Sequence, residues 1–74
     1  MKDLEFINVD SSNIEKIAWK PNELYVQYKS GSLYKYDGVT HGVWKGLVKA
    51  ESKGRFMNSV IKESYKYTKV NNIA

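Results

Sequence analysis

Seventy-four residues with no cysteine, one histidine and a formal net charge of +4 suffice for a single domain, 1–74, and exclude a disulfide framework or a thiolate zinc site. No apolar run approaches the ~20 residues of a membrane helix, and Met1 to Phe6 carries Asp3 and Glu5 where a secretory leader needs an apolar stretch, so a soluble, cytoplasmic protein is expected. A core this small supplies only about 3–5 kcal/mol, which makes self-association, most simply as a dimer, the expected further support.

The first half reads as strands. A short strand is expected around Phe6 to Val9. Ile14 to Lys20 then sets Ile17 and Trp19 on one face and Lys16, Ala18 and Lys20 on the other. Pro21-Asn22 ends that run and opens a turn. Leu24, Val26 and Tyr28 alternate with Tyr25, Gln27 and Lys29, the period of a half-buried strand. Ser30-Gly31-Ser32 turns the chain into Leu33-Tyr34-Lys35-Tyr36, which Asp37-Gly38 closes. These segments predict an antiparallel meander of three to four strands.

Near residue 40 the period changes to 3.6. Thr40 is placed to cap a helix carrying Val43, Trp44, Leu47 and Val48 on one stripe. Ser52 is placed to cap a second, whose inner face is Phe56, Met57, Val60 and Ile61. The expected fold is α+β, with two helices packed on one face of the meander. The core is expected over about 9–67, with 68–74 a flexible, extended tail.

Charge is unevenly spread. Residues 1–15 carry one lysine against four acids, a balance of −3, whereas residues 40–74 carry seven Lys and Arg against two Glu, a balance of +5. A basic half attracts anions, nucleic acid and nucleotides among them. Lys45 and Lys49, and later Lys62, Lys66 and Lys69, read as solvated outer stripes.

Catalytic constellations are missing from the pattern. His41, the single histidine, stands at a predicted helix start without a partner in sequence. No carboxylate pair has acid–base spacing. Ser11 and Ser12 precede Asn13 and suit turn chemistry better than nucleophilic attack. No Walker or dinucleotide glycine loop is present. The chain is therefore expected to be no enzyme and to need no cofactor or metal.

Two features suggest binding. Tyr34 and Tyr36 lie on one side of a strand, where rings stack on bases or pack against helices. Ser52-Lys53-Gly54-Arg55 with Asn58 combines free helix amides, a backbone open to close approach, two cations and an amide. Tyr34, Tyr36, Ser52, Lys53, Gly54, Arg55 and Asn58 are the expected ligand-binding set. Arg55 is expected to matter more than Lys62.

These residues resemble the KTSC domain family, small domains found at the C-terminus of some lysyl-tRNA synthetases and as stand-alone proteins, phage-type proteins among them. The resemblance runs from Val9 to about Tyr67. Val9-Asp10-Ser11-Ser12-Asn13-Ile14, Leu24-Tyr25-Val26, Gly31, Tyr34-Lys35-Tyr36, Val39, Ala50-Glu51-Ser52-Lys53-Gly54-Arg55-Phe56 and Ile61 carry it. Thr40 stands where the family usually has proline. The resemblance implies RNA as a partner and a bacterial or phage-infected cytoplasm. The resulting expectation is a non-catalytic binding module for a phosphate-bearing ligand, RNA or nucleotide. The alternatives are an oligomeric sponge that sequesters a small nucleotide messenger and a protein–protein adaptor.

Overall fold

Each strand pairs antiparallel with the next in the chain, giving a sheet of order β1-β2-β3-β4-β5. The computed structural model describes residues 4–70. The strands are β1 (Ile7–Asn8), β2 (Ile14–Lys20), β3 (Asn22–Tyr28), β4 (Leu33–Val39) and β5 (Tyr67–Val70). Helix α1 (His41–Lys49) follows β4. A second helical run, 53–64, comprises α-helical Lys53–Phe56, π-helical Met57–Ile61 and α-helical Lys62–Ser64; we call it α2. The meander therefore has five strands rather than three or four. The fifth comes from the segment expected to be a tail, and positions 71–74 of that tail lie outside the described residues.

Turn chemistry sets the meander. Lys20 pairs with Glu23, leaving Pro21 and Asn22 at the tip. Asn22 sits at φ 67°. Proline followed by a positive-φ residue is the combination a type II turn uses, and asparagine tolerates that region. The next turn is closed by Tyr28 N–H donating to Ser32 O at 2.8 Å and Gly31 N–H donating to Tyr28 O at 2.9 Å.

Two bulges decide which residues face the helices. Across β3, Ile14 pairs with Tyr28 but Lys16 with Gln27, so Glu15 is the extra residue. Across from Asn22 and Glu23 stand Val39 and Asp37, so Gly38 is the extra residue. Gly38 takes φ 86°, a conformation that suits a residue without Cβ. Each extra residue shifts the alternation by one. Ile14 thereby joins Ile17 on one face, and Val39 joins Tyr36, although simple alternation would have turned them away.

That face receives the helices. Ile14, Ile17, Leu24, Val26, Tyr36 and Val39 form one buried cluster with Leu47 of α1 and Met57 and Ile61 of α2. Thr40 caps α1 as expected, its hydroxyl accepting from Val43 N–H at 3.4 Å. The opposite face carries a smaller cluster, Ala18, Tyr25 and Leu33, with Leu4, Phe6 and Val70 packed on it. No helix among the described residues is long and apolar enough to cross a membrane.

Candidate functional site

A depression of about 440 Å³ opens where the β3–β4 turn meets the end of α2. Tyr28 and Tyr34 supply ring surface. Lys29, Ser30 and Ser32 come from the turn, Ser12 and Asn13 from the loop before β2, and Lys62 from the end of α2. The β2-side loop is held in place from several directions. Ser11 Oγ accepts from Ile14 N–H at 3.3 Å and donates to Asn13 Oδ1 at 3.3 Å. Lys29 N–H donates to Asn13 O at 2.9 Å, fastening the loop to the turn.

The π-helical segment brings Lys62 to this place. Lys62 N–H donates back five residues to Met57 O, the wider repeat of a π-helix. One extra residue in a helical turn rotates everything after it by about 100°. Met57 and Ile61 remain in the core, and the Lys62 ammonium comes to rest 5.7 Å from the centre of the Tyr28 ring. That is within the range of cation–π attraction.

The depression is electrostatically one-sided. Its lining holds two lysines and no carboxylate. Among the described residues neither Lys29 nor Lys62 forms an ion pair. Acidic groups gather on the other face of the sheet, where Lys35 Nζ meets Glu23 at 4.0 Å and Asp37 at 3.7 Å, and Lys20 Nζ meets Glu23 at 3.9 Å. A sheet that neutralises its charge on one face and leaves lysines alone on the other presents a positive face to anions.

The residues expected to form one site are divided. Tyr34 lines the depression. Tyr36 is 1% exposed and belongs to the core, so the expectation that it meets a ligand is corrected. Burial above all, and then the hydrogen bond with Tyr28, push its phenol well above the ordinary tyrosine range. Ser52 caps α2 as expected, accepting from Arg55 N–H at 3.3 Å. Lys53 Nζ donates to Ala50 O at 2.7 Å, closing the end of α1.

Gly54 permits a close approach, but within the chain. A Cβ there would stand 3.3 Å from Asn13 Oδ1. Arg55 is exposed and borders a second depression of about 440 Å³ with Glu51, Phe56 and Val60. Asn58 is exposed on the π-helical segment and borders neither depression. Neither depression unites the Ser52–Arg55 segment with Tyr34 or Tyr36. His41 lies against Trp19 with ring centres 5.0 Å apart and planes tilted by 47°, and the Trp19 indole N–H donates to Val39 O at 2.9 Å.

Sequence reasoning overlooked Tyr28, Lys62 and the Ser12-Asn13 pair as site residues. Tyr28 was legible: it continues the alternation of Leu24 and Val26 to the strand end, where the helices no longer cover it fully. Lys62 was not, because its direction depends on the π-helical register.

The sequence model of the KTSC domain matches residues 10–65. The crystal structure of a KTSC domain protein from Yersinia pestis superposes with a TM-score of 0.85 at 34% identity, covering 92% of this chain and 99% of that one. An uncharacterized protein of Stutzerimonas stutzeri is 33% identical over 67 residues, 86% of this chain and 94% of its own length. A protein of Tsukamurella paurometabola is 37% identical over 60 residues, 78% of this chain and 90% of its own.

Proposed function

The chain belongs to the KTSC domain family, and we propose that it is a non-catalytic binding module for a phosphate-bearing ligand, held in the depression between Tyr34 and Lys62. One observation carries this reading. The depression combines two tyrosine rings with two lysines, three serines and an asparagine, and no acid. Rings take a base or sugar, ammonium groups take phosphate, and hydroxyls and the amide take whatever hydrogen-bonding edge is presented. The lining holds neither histidine nor carboxylate, the commonest general acids and bases, which supports binding over turnover.

The adaptor reading is less well supported. The exposed large hydrophobics among the described residues are Ile7 and Tyr67, on β1 and β5 at opposite edges of the sheet. They do not join into an apolar patch of the kind that marks a protein interface.

Calorimetric titration with ADP, adenosine and inorganic phosphate tests the proposal. ADP should bind more tightly than either fragment, because only it engages rings and lysines together. Absence of ADP binding at millimolar concentration would overturn it. A homodimer stays within the proposal on the size of the core alone; light scattering at micromolar concentration that reports a monomer would remove that part.

A further inference from the structure

The tyrosines do not stop at the depression. Direct cross-strand partners project from the same side of an antiparallel sheet. Val26 pairs with Tyr34 and Leu24 with Tyr36, and β4 in turn sets Tyr34 against Lys69 and Tyr36 against Tyr67. Tyr67 and Lys69 therefore rise from the face that carries Tyr34. Ring centres follow one another at 5.5 Å from Tyr28 to Tyr34 and at 5.2 Å from Tyr34 to Tyr67. Neighbouring rings are inclined by 69° and 72°, so they meet edge to face, and the Tyr67 ring also lies 5.7 Å from that of Tyr36 at 40°. Tyr67 is 61% exposed, so its ring is accessible from solvent. The exposed lysines flank the row, Lys62 beside Tyr28 at one end and Lys69 directly across from Tyr34.

We infer that this row takes a short single-stranded nucleic acid, not only a mononucleotide. The inference rests on the depression being a phosphate-ligand site and extends it across β4 to β5. One nucleotide occupies the depression beside Tyr28, Tyr34 and Lys62. The next base meets the open ring of Tyr67, and its phosphate comes within reach of Lys69. Tyrosine rings accept any base by stacking, and lysines take phosphate as point charges, so the surface reads chain length and charge more than sequence. A duplex is a poorer occupant, because its bases are already stacked and turned inward.

The test uses oligouridine trinucleotide and uridine monophosphate, titrated into the whole protein at two salt concentrations. Wild type should bind the trinucleotide more tightly than the monophosphate. Tyr67→Ala should weaken the trinucleotide about tenfold, an alanine-scan effect typical of a stacked base, and leave the monophosphate unchanged. Tyr67→Leu keeps bulk on β5 and should behave like Tyr67→Ala, while Tyr67→Phe should bind like wild type. That pattern separates loss of a ring from loss of the strand. Lys69→Ala should reduce the salt slope for the trinucleotide by about 0.7. Equal affinity for the two ligands, or a trinucleotide affinity indifferent to Tyr67→Ala, overturns the inference while leaving a mononucleotide site standing. Absence of binding to either uridine ligand, with ADP still bound, overturns it too; loss of ADP binding as well would overturn the underlying reading.

Discussion

The hydroxyls of Tyr28 and Tyr36 stand 3.5 Å apart, one ring lining the depression and the other in the core. Site and core thus share a polar contact as well as apolar packing, and the phenol of Tyr36 is kept protonated mainly by its burial. In the unfolded chain that phenol titrates near 10.0. Above that pH the unfolded state loses a proton that the folded state retains, so stability falls as pH rises. Tyr36→Phe removes this dependence. Its melting temperature should decline less between pH 9 and 11 than that of wild type, followed by circular dichroism. Parallel declines would show that Tyr36 does not govern alkaline unfolding.

Lys62 and Arg55 exchange the ranks that sequence alone assigns them. Lys62 lines the tyrosine depression and Arg55 does not. Lys62→Ala should weaken ADP binding by about 1 kcal/mol, roughly fivefold, the scale of an exposed charge contact. Arg55→Ala should leave it unchanged. The reverse order in calorimetry would move the site to the start of α2.

Gly38 is the bulge residue at φ 86°, with Tyr65 Cδ1 3.8 Å from where a Cβ would sit. Space is available, but the conformation penalises any side chain. Gly38→Ala should cost about 1–2 kcal/mol in urea denaturation. A neutral result would mean that the bulge relaxes and Val39 is held by α1 alone.

Ser52 is assigned to capping, with its hydroxyl on Arg55 N–H. Ser52→Ala should lower stability by about 1 kcal/mol and leave nucleotide binding intact, whereas Ser52→Asp should retain the cap. If the alanine variant keeps full stability but loses affinity, the hydroxyl belongs to a ligand site.

Much of the fold could be read because its signals are local. The alternation through Leu24, Val26 and Tyr28, the caps at Thr40 and Ser52 and the stripe through Leu47 each depend on a few adjacent residues. β5 escaped because Tyr67–Val70, although rich in strand formers, is only four residues long and gains its pairing only from β4 beside it. The phases of Ile14 and Val39 escaped because each depends on one extra residue whose effect is felt only against a partner strand. The candidate site was legible to the same extent. Tyr34 follows from alternation. Tyr36 shares that alternation and was misplaced, since only the tertiary packing, with Leu47, Met57 and Ile61 in its cluster, shows that it is covered. Lys62 required a helical register that propensity does not report.

The order of strands also determines which of them can come and go. β1 to β4 are joined by short turns, and each pairing forms between chain neighbours, so these four strands can assemble with little loop-closure cost. β5 alone must wait for both helices to be laid down before it meets β4. It is four residues long, it lies on the outer edge, and its departure would break no pairing among the other four. Amide protons of β5 should therefore exchange with solvent through a local opening that leaves the rest of the sheet protected. Tyr67 and Lys69 ride on that strand, so one of the three rings of the row would detach and re-form as a hinged flap while Tyr28 and Tyr34 stayed in place.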